Sequence, residues 1–242
     1  MRAFLDLAAP VPRWLLAVLA TSFCISLEPH RGAADPLACP NPLISVETDD
    51  PELTPGVCAI AEAARPQLAQ CGLVQTVPLV IEVVRKPAIL IGGDVACLGT
   101  YDCERTRITL IHPDTIEEAL GPDNPFAVIP RADLFASLVV HELSHALVDQ
   151  KPEVTQLNRA AQEYVAYAMQ LEAMPPAVRQ RLLDAIPSSG PVELVELNVV
   201  LALGAPQVFS VKAWRHFSTP GNGCDFVEKL LSGEVSLVLD PI

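Results

Sequence analysis

The run SLVVHELSHALVDQ, residues 137–150, constrains this chain more than any other stretch. His141 and His145 stand four residues apart, and on a helix that spacing puts both on one face. Two imidazoles so placed can reach one zinc ion at roughly 2.0–2.1 Å. Glu142 lies about 100° round the helix from His141, by ~3.6 residues per turn. It is poorly aimed for the same ion but well aimed for a water beside it, so one turn supplies two ligands and a general base. Leu134, Phe135, Leu138, Val139, Leu143 and Leu147 surround the histidines, so the helix must sit inside the molecule. A bare ionisable pair there is costly, and coordination offsets the cost. The competing reading is a pair of hydrogen-bonded core histidines.

Half of the 242 residues are hydrophobic, enough for a sizeable core. A net charge of −13 without a basic run excludes nucleic acid and anionic membranes as expected partners. Arg2 and Arg13 precede the apolar run Trp14 to Leu27, and RGAA follows. Residues 1–34 therefore read as a signal peptide, removed on export, with periplasmic or secreted localisation and no stable membrane insertion afterwards. Cys39, Cys58, Cys71, Cys97, Cys103 and Cys224 then make an even count, as an oxidising compartment produces. Cys97 and Cys103 flank the turn-like LGTYD and are expected to pair. A Cys58–Cys71 pair is disfavoured, because one helix between them would hold them ~20 Å apart.

The remainder, 35–242, reads as a single α+β domain: an α/β part over 35–130 and a helical part over 131–242. Residues 35–56 carry five prolines and read as an extended lead-in. A helix is predicted over 57–70, strands over 77–86, AILIGG and 106–113, and a short helix at DTIEEAL. Helices follow at 131–150 and 153–173, then at AVRQRLLDAI, PVELVELNVVLAL, VFSVKAWRHF and 224–232.

A catalytic zinc needs a third protein ligand. Asp149 is on the right face but a turn too far along. Glu163 lies 18 residues past His145 on the next helix, beside small Ala160 and Ala161, where two helices can approach closely. Glu153 and Glu172 are alternatives. Glu163 could instead belong to a solvated stripe with Gln156, Arg159 and Gln162.

HELSH with a Glu on the following helix resembles the gluzincin metallopeptidases, the thermolysin-like group, over roughly residues 77–173. The resemblance implies a zincin-like active-site helix, one Zn2+ per chain held by His141, His145 and Glu163, and a water activated by Glu142. It also implies an edge strand that holds extended substrate, a part that RITLI (107–111) resembles by position. Many members carry a second acid four residues from the downstream Glu; here Arg159 and Tyr167 stand there.

Oxyanion helpers in that group come from outside the motif, and the candidates are His216, Tyr167 and Tyr164. Tyr167 shares a face with Glu163 and could orient it instead. The function expected is a secreted zinc-dependent hydrolase, most simply a peptidase acting on a peptide or protein. A non-protein amide such as a cell-wall peptide is a variant of it. The alternative is a non-catalytic periplasmic binding protein, zinc-stabilised or metal-free, on the same scaffold.

Overall fold

The structure is a computed structural model, and it describes residues 36–86, 90–91, 95–96, 98–151, 154, 157–188 and 190–237. Residues 33–242 cluster as one compact unit. The proposed signal peptide and Glu153 lie outside the described residues.

The architecture is α+β, with a small mixed sheet followed by a mostly helical part. Strands β1 (Leu37–Ala38), β2 (Ile44–Thr48) and β3 (Leu79–Val84) precede a small hairpin of β4 (Leu90–Ile91) and β5 (Val95–Ala96). Strands β6 (Gly99–Asp102) and β7 (Arg107–Ile111) complete the main sheet, in the order β1-β2-β3-β7-β6. β2, β3 and β7 are parallel, and β1 and β6 run antiparallel at the two edges. Alternation sets the faces: Ile44, Val46, Leu79, Ile81, Val83, Ile108 and Leu110 are buried while Ser45, Glu47 and Glu82 alternate with them.

Two expectations change here. Residues 35–56 are not merely a lead-in, since they hold β1 and β2. RITLI is not an edge: β7 lies between β3 and β6, and the edge on that side is GTYD. A glycine and an Asp make GTYD look like a turn, and only its pairing with β7, Gly99 opposite Leu110 through Asp102 opposite Arg107, makes it a strand.

Helix α1 (Thr54–Gln70) runs through Pro66 and packs on β2. After the short α2 (Ile116–Leu120) comes α3 (Arg131–Asp149), which packs on α1, β6 and β7. It is buried nearly all round, as its composition requires. Helix α4 (Arg159–Ala173) starts later than predicted, capped by Asn158, whose side chain accepts from Ala161 N. It packs between α3 and α7 (Pro206–Phe217). Ala160, Ala161 and Ala166 are buried along α4. Helix α5 (Pro176–Ala185) is as predicted, and α8 (Gly223–Leu231) closes the described chain. The predicted helix at PVELVELNVVLAL breaks instead into a single turn at 194–196 and α6 (Val199–Gly204), where the Asn198 side chain caps a fresh start by accepting from Leu201 N.

Two disulfides staple the domain, Cys39–Cys58 and Cys71–Cys224, spanning 19 and 153 residues. Cys58 and Cys71 are thus unpaired with one another, as the helix between them demands. The expected Cys97–Cys103 bridge is corrected: Cys103 is a free, exposed thiol, and Cys97 lies outside the described residues. Nearness in sequence suggests the pair, but the turn-like LGTYD is drawn into β6 immediately before Cys103. Among the described residues, no helix is long and apolar enough to cross a membrane.

Candidate metal centre

Helices α3 and α4 form a hairpin whose facing sides carry the predicted triad. His145 Nε2 lies 3.2 Å from His141 Nε2. Glu163 Oε2 lies 3.7 Å from the first histidine's Nε2 and 3.8 Å from the second's. His141 and Glu163 are buried and His145 half-buried. Three ligands around a tetrahedral ion at ~2.0–2.1 Å stand roughly 3.4 Å apart. The three atoms therefore form a triangle of the right size, and their chemistry, two imidazole nitrogens and a carboxylate oxygen, suits zinc.

A polar relay fixes which nitrogen of His141 is available. Gln170 Nε2 donates to Ser137 Oγ at 3.1 Å, and Ser137 Oγ donates to the Leu134 carbonyl at 2.8 Å. The Gln170 carbonyl oxygen is thereby turned to His141 Nδ1 at 2.9 Å, so Nδ1 carries the proton and donates. Nε2 is left as a bare lone pair directed at Glu163 and His145. Such an outer partner sets ring orientation and ligand basicity at metal sites. Gln170 was missed in the sequence; its signal was an amide seven residues past Glu163, two turns on along the same face. Tyr167 also stands here, its ring edge-on to His141 with centroids 4.5 Å apart.

Burial dominates the electrostatics. It pushes His141 down to about 4, with Arg159 adding to the fall and the Gln170 hydrogen bond opposing it. Burial pushes His145 well below the usual imidazole range, and the neighbouring His141 adds to it. Both rings are therefore neutral at pH 7, the form that binds metal. Glu142 is pushed up to about 8 by burial and then by Glu163, against the pull of Arg159. Glu163 is raised by burial, and Arg159 opposes.

The triad and Glu142 line a cleft of about 740 Å3. The edge strand β6 forms one wall through Gly99, Thr100 and Tyr101. Glu142 is pressed against that strand: a Cβ on Gly99 would meet Glu142 Oε1 at 2.7 Å and its Cγ at 2.9 Å. The Tyr101 hydroxyl donates to Asp149 Oδ2 at 2.9 Å, tying β6 to the end of α3. Burial and then this bond push the Tyr101 hydroxyl above the usual phenol range. Asp149 is thus used by the edge strand. Glu172, the other described alternative ligand, sits at the surface with Arg179 and the Trp214 indole N–H, away from the triad.

His216 does not reach the cleft, which corrects the expectation for it. Its Nδ1 faces the Tyr164 hydroxyl at 2.9 Å, and its Nε2 accepts from Asn222 Nδ2 at 3.3 Å. Neither His216 nor Tyr164 lines the cleft. Tyr164 follows Glu163 directly, and one helical step of about 100° turns it to the α7–α8 side. Tyr167, four residues on from Glu163, stays with the site.

Residues 44–240 match a protein family described as a family of unknown function, DUF6639. The chain belongs to that family. No curated protein and no solved structure matches it. The DUF6639 match covers the sheet from β2 onward and all eight described helices, so the triad and its outer partners all fall inside it.

Proposed function

We propose that this DUF6639 chain is an exported zinc-dependent hydrolase of the gluzincin kind, cutting amide bonds in peptides or proteins. One observation carries the reading: two imidazole nitrogens and one carboxylate oxygen converge within 4.8 Å on a cleft wall, with a second, non-ligating carboxylate beside them. A zinc ion held by His141, His145 and Glu163 would act as a Lewis acid on a carbonyl and lower the pKa of a water.

The chain's own residues account for the rest. Glu142, buried between the triad and β6, takes the proton of the attacking water at its carboxylate and returns it to the leaving nitrogen. A group whose proton affinity lies near neutrality is suited to both steps. Gln170 and the Tyr167 ring hold His141 in place. Strand β6 ends the sheet, and its residues line the cleft, so an extended substrate would lie along it. Two disulfides and an acidic surface fit a periplasmic or secreted site of action.

A specific observation favours a second reading, a binding protein without catalysis. Arg159 already engages Glu163, so the site is partly satisfied by the chain itself. Zinc content and hydrolysis separate the two. Wild type is expected to hold about one zinc per chain, and Glu163→Ala far less. Glu142→Gln should keep the zinc and lose hydrolysis by ~10²–10⁴-fold on a peptide library. If wild type holds zinc and is no more active than Glu142→Gln, the binding reading stands and the hydrolase falls.

A further inference from the structure

The position four residues before Glu163 carries a cation, and its contact is specific. Arg159 Nε lies 2.8 Å from Glu163 Oε1. The Arg159 side chain is 61% exposed and that of Glu163 only 9%. Four residues apart on α4, the two side chains stack along one face. Glu163 therefore divides its oxygens: Oε1 is held by the guanidinium, and Oε2 faces both histidine nitrogens. The last torsion of a Glu is broad and roughly two-fold, so without a partner the carboxylate can swing either oxygen, or both, toward the triad.

Resting on the zinc reading above, we propose that Arg159 is a positioning residue that pins Glu163 as a one-oxygen ligand. A carboxylate that turned both oxygens inward would take up the position a water and a substrate carbonyl need. Arg159 lines the cleft beside Glu163, and its hold on Oε1 prevents this while Oε2 stays turned to the histidines.

Two effects of Arg159 on a bound dication have opposite signs. Its positive charge repels the ion, so removing it would tighten metal binding. Its hydrogen bond orders the ligand, so removing it would loosen binding. The guanidinium is mostly in water, which screens the repulsion. Ordering a ligand from outside is worth roughly 10–100-fold in metal affinity. Orientation should win, and the sign of the change reads out which effect dominates.

The experiment titrates the oxidised full chain with zinc alone and with cobalt alone, for wild type and for Arg159→Ala, Arg159→Lys, Glu163→Ala and the double variant Arg159→Ala/Glu163→Ala. Arg159→Ala is expected to weaken zinc about 10–100-fold and to lower the visible absorption of the cobalt form, as a rise in coordination number does. Arg159→Lys, which keeps a charged donor but not the planar guanidinium, should recover part of both. The double variant should bind no more weakly than Glu163→Ala, because Arg159 acts through Glu163. A wild type that binds zinc beside an Arg159→Ala that binds it equally or more tightly, with an unchanged cobalt spectrum, overturns the positioning role alone. A wild type that binds no zinc overturns the metal centre and this role together.

Discussion

Helix α4 has a buried polar cluster on each side, and the two differ in how they close. On one side the His216 ring stacks edge-on to Phe226 with centroids 4.5 Å apart, and both its nitrogens are engaged, by Tyr164 and Asn222. On the other side His141 stacks edge-on to Tyr167 at the same centroid distance, with one nitrogen engaged by Gln170. Its second nitrogen lies 3.2 Å from His145 Nε2 and 3.7 Å from Glu163 Oε2, on the wall of a cleft. Ring packing and burial are alike. A histidine whose nitrogens meet a hydroxyl and an amide is satisfied as architecture, whereas one whose free nitrogen meets an imidazole and a carboxylate has the surroundings that the proposed zinc site requires.

Truncating one histidine on each side separates the two clusters. His145→Ala should drop zinc from about one per chain to near none, while the folded state persists. His216→Ala should leave zinc content unchanged. It should cost roughly 1–3 kcal/mol of stability instead, because the buried Tyr164 hydroxyl loses its partner. Elemental analysis and denaturant unfolding read the two. Zinc lost in both variants would mean that the clusters are one unit across α4, and the distinction drawn above would be wrong.

A smaller effect is expected at Gly99, where the site meets the sheet. The added methyl of Gly99→Ala would meet the Glu142 carboxylate and Leu110 Cδ2, the latter at 2.9 Å. The strand must back off or Glu142 must turn, at a cost of about 1–3 kcal/mol for overpacking. Zinc should be retained, since no ligand is touched, and kcat/KM on a peptide substrate should fall by roughly 10-fold or more. Unchanged turnover would show that the strand does not hold Glu142 in its working position.

These contrasts also mark what could be read from the sequence. The buried helix that carries both histidines was legible because the i, i+4 spacing and the apolar surround are local facts. The nearness of Glu163 to the histidines was legible from a second helix with small Ala160 and Ala161 beside it, and that of Tyr167 from its four-residue spacing to Glu163. Gly99 was not legible: GTYD has little strand propensity, and its role comes from pairing with β7 and from a side chain 43 positions later in the chain. His216 was misread because HF beside a glycine-rich break resembles a site loop, and only the fold shows that its partners are Tyr164 and Asn222. Cysteine pairing failed for the same reason: the Cys71–Cys224 closure spans 153 residues, while the expected pair was chosen for being near in sequence. Arg159 was visible as a departure from the acidic pattern, but its hold on Glu163 needed the third dimension.

The finest test of the difference between the clusters counts protons. In the metal-free chain Glu142 is pushed up to about 8, so at pH 7 its carboxyl is mostly protonated, whereas His141 and His145 are neutral. A dication held beside it favours the carboxylate, so binding should lower its proton affinity and release that proton. The histidines have none to give, because the folded pKa of His141 is about 4 and that of His145 is also far depressed. The sign follows: zinc affinity should rise as pH rises toward 8, because protons compete at a carboxyl rather than at an imidazole. Between pH 6 and 7.5 the slope should approach about tenfold per pH unit for each proton released. Calorimetric titration in buffers of different ionisation enthalpy counts those protons. Glu142→Gln should release about one fewer than wild type, whereas His216→Ala should release the same number. Equal release from wild type and Glu142→Gln would place the proton elsewhere and remove Glu142 from the electrostatics of the site.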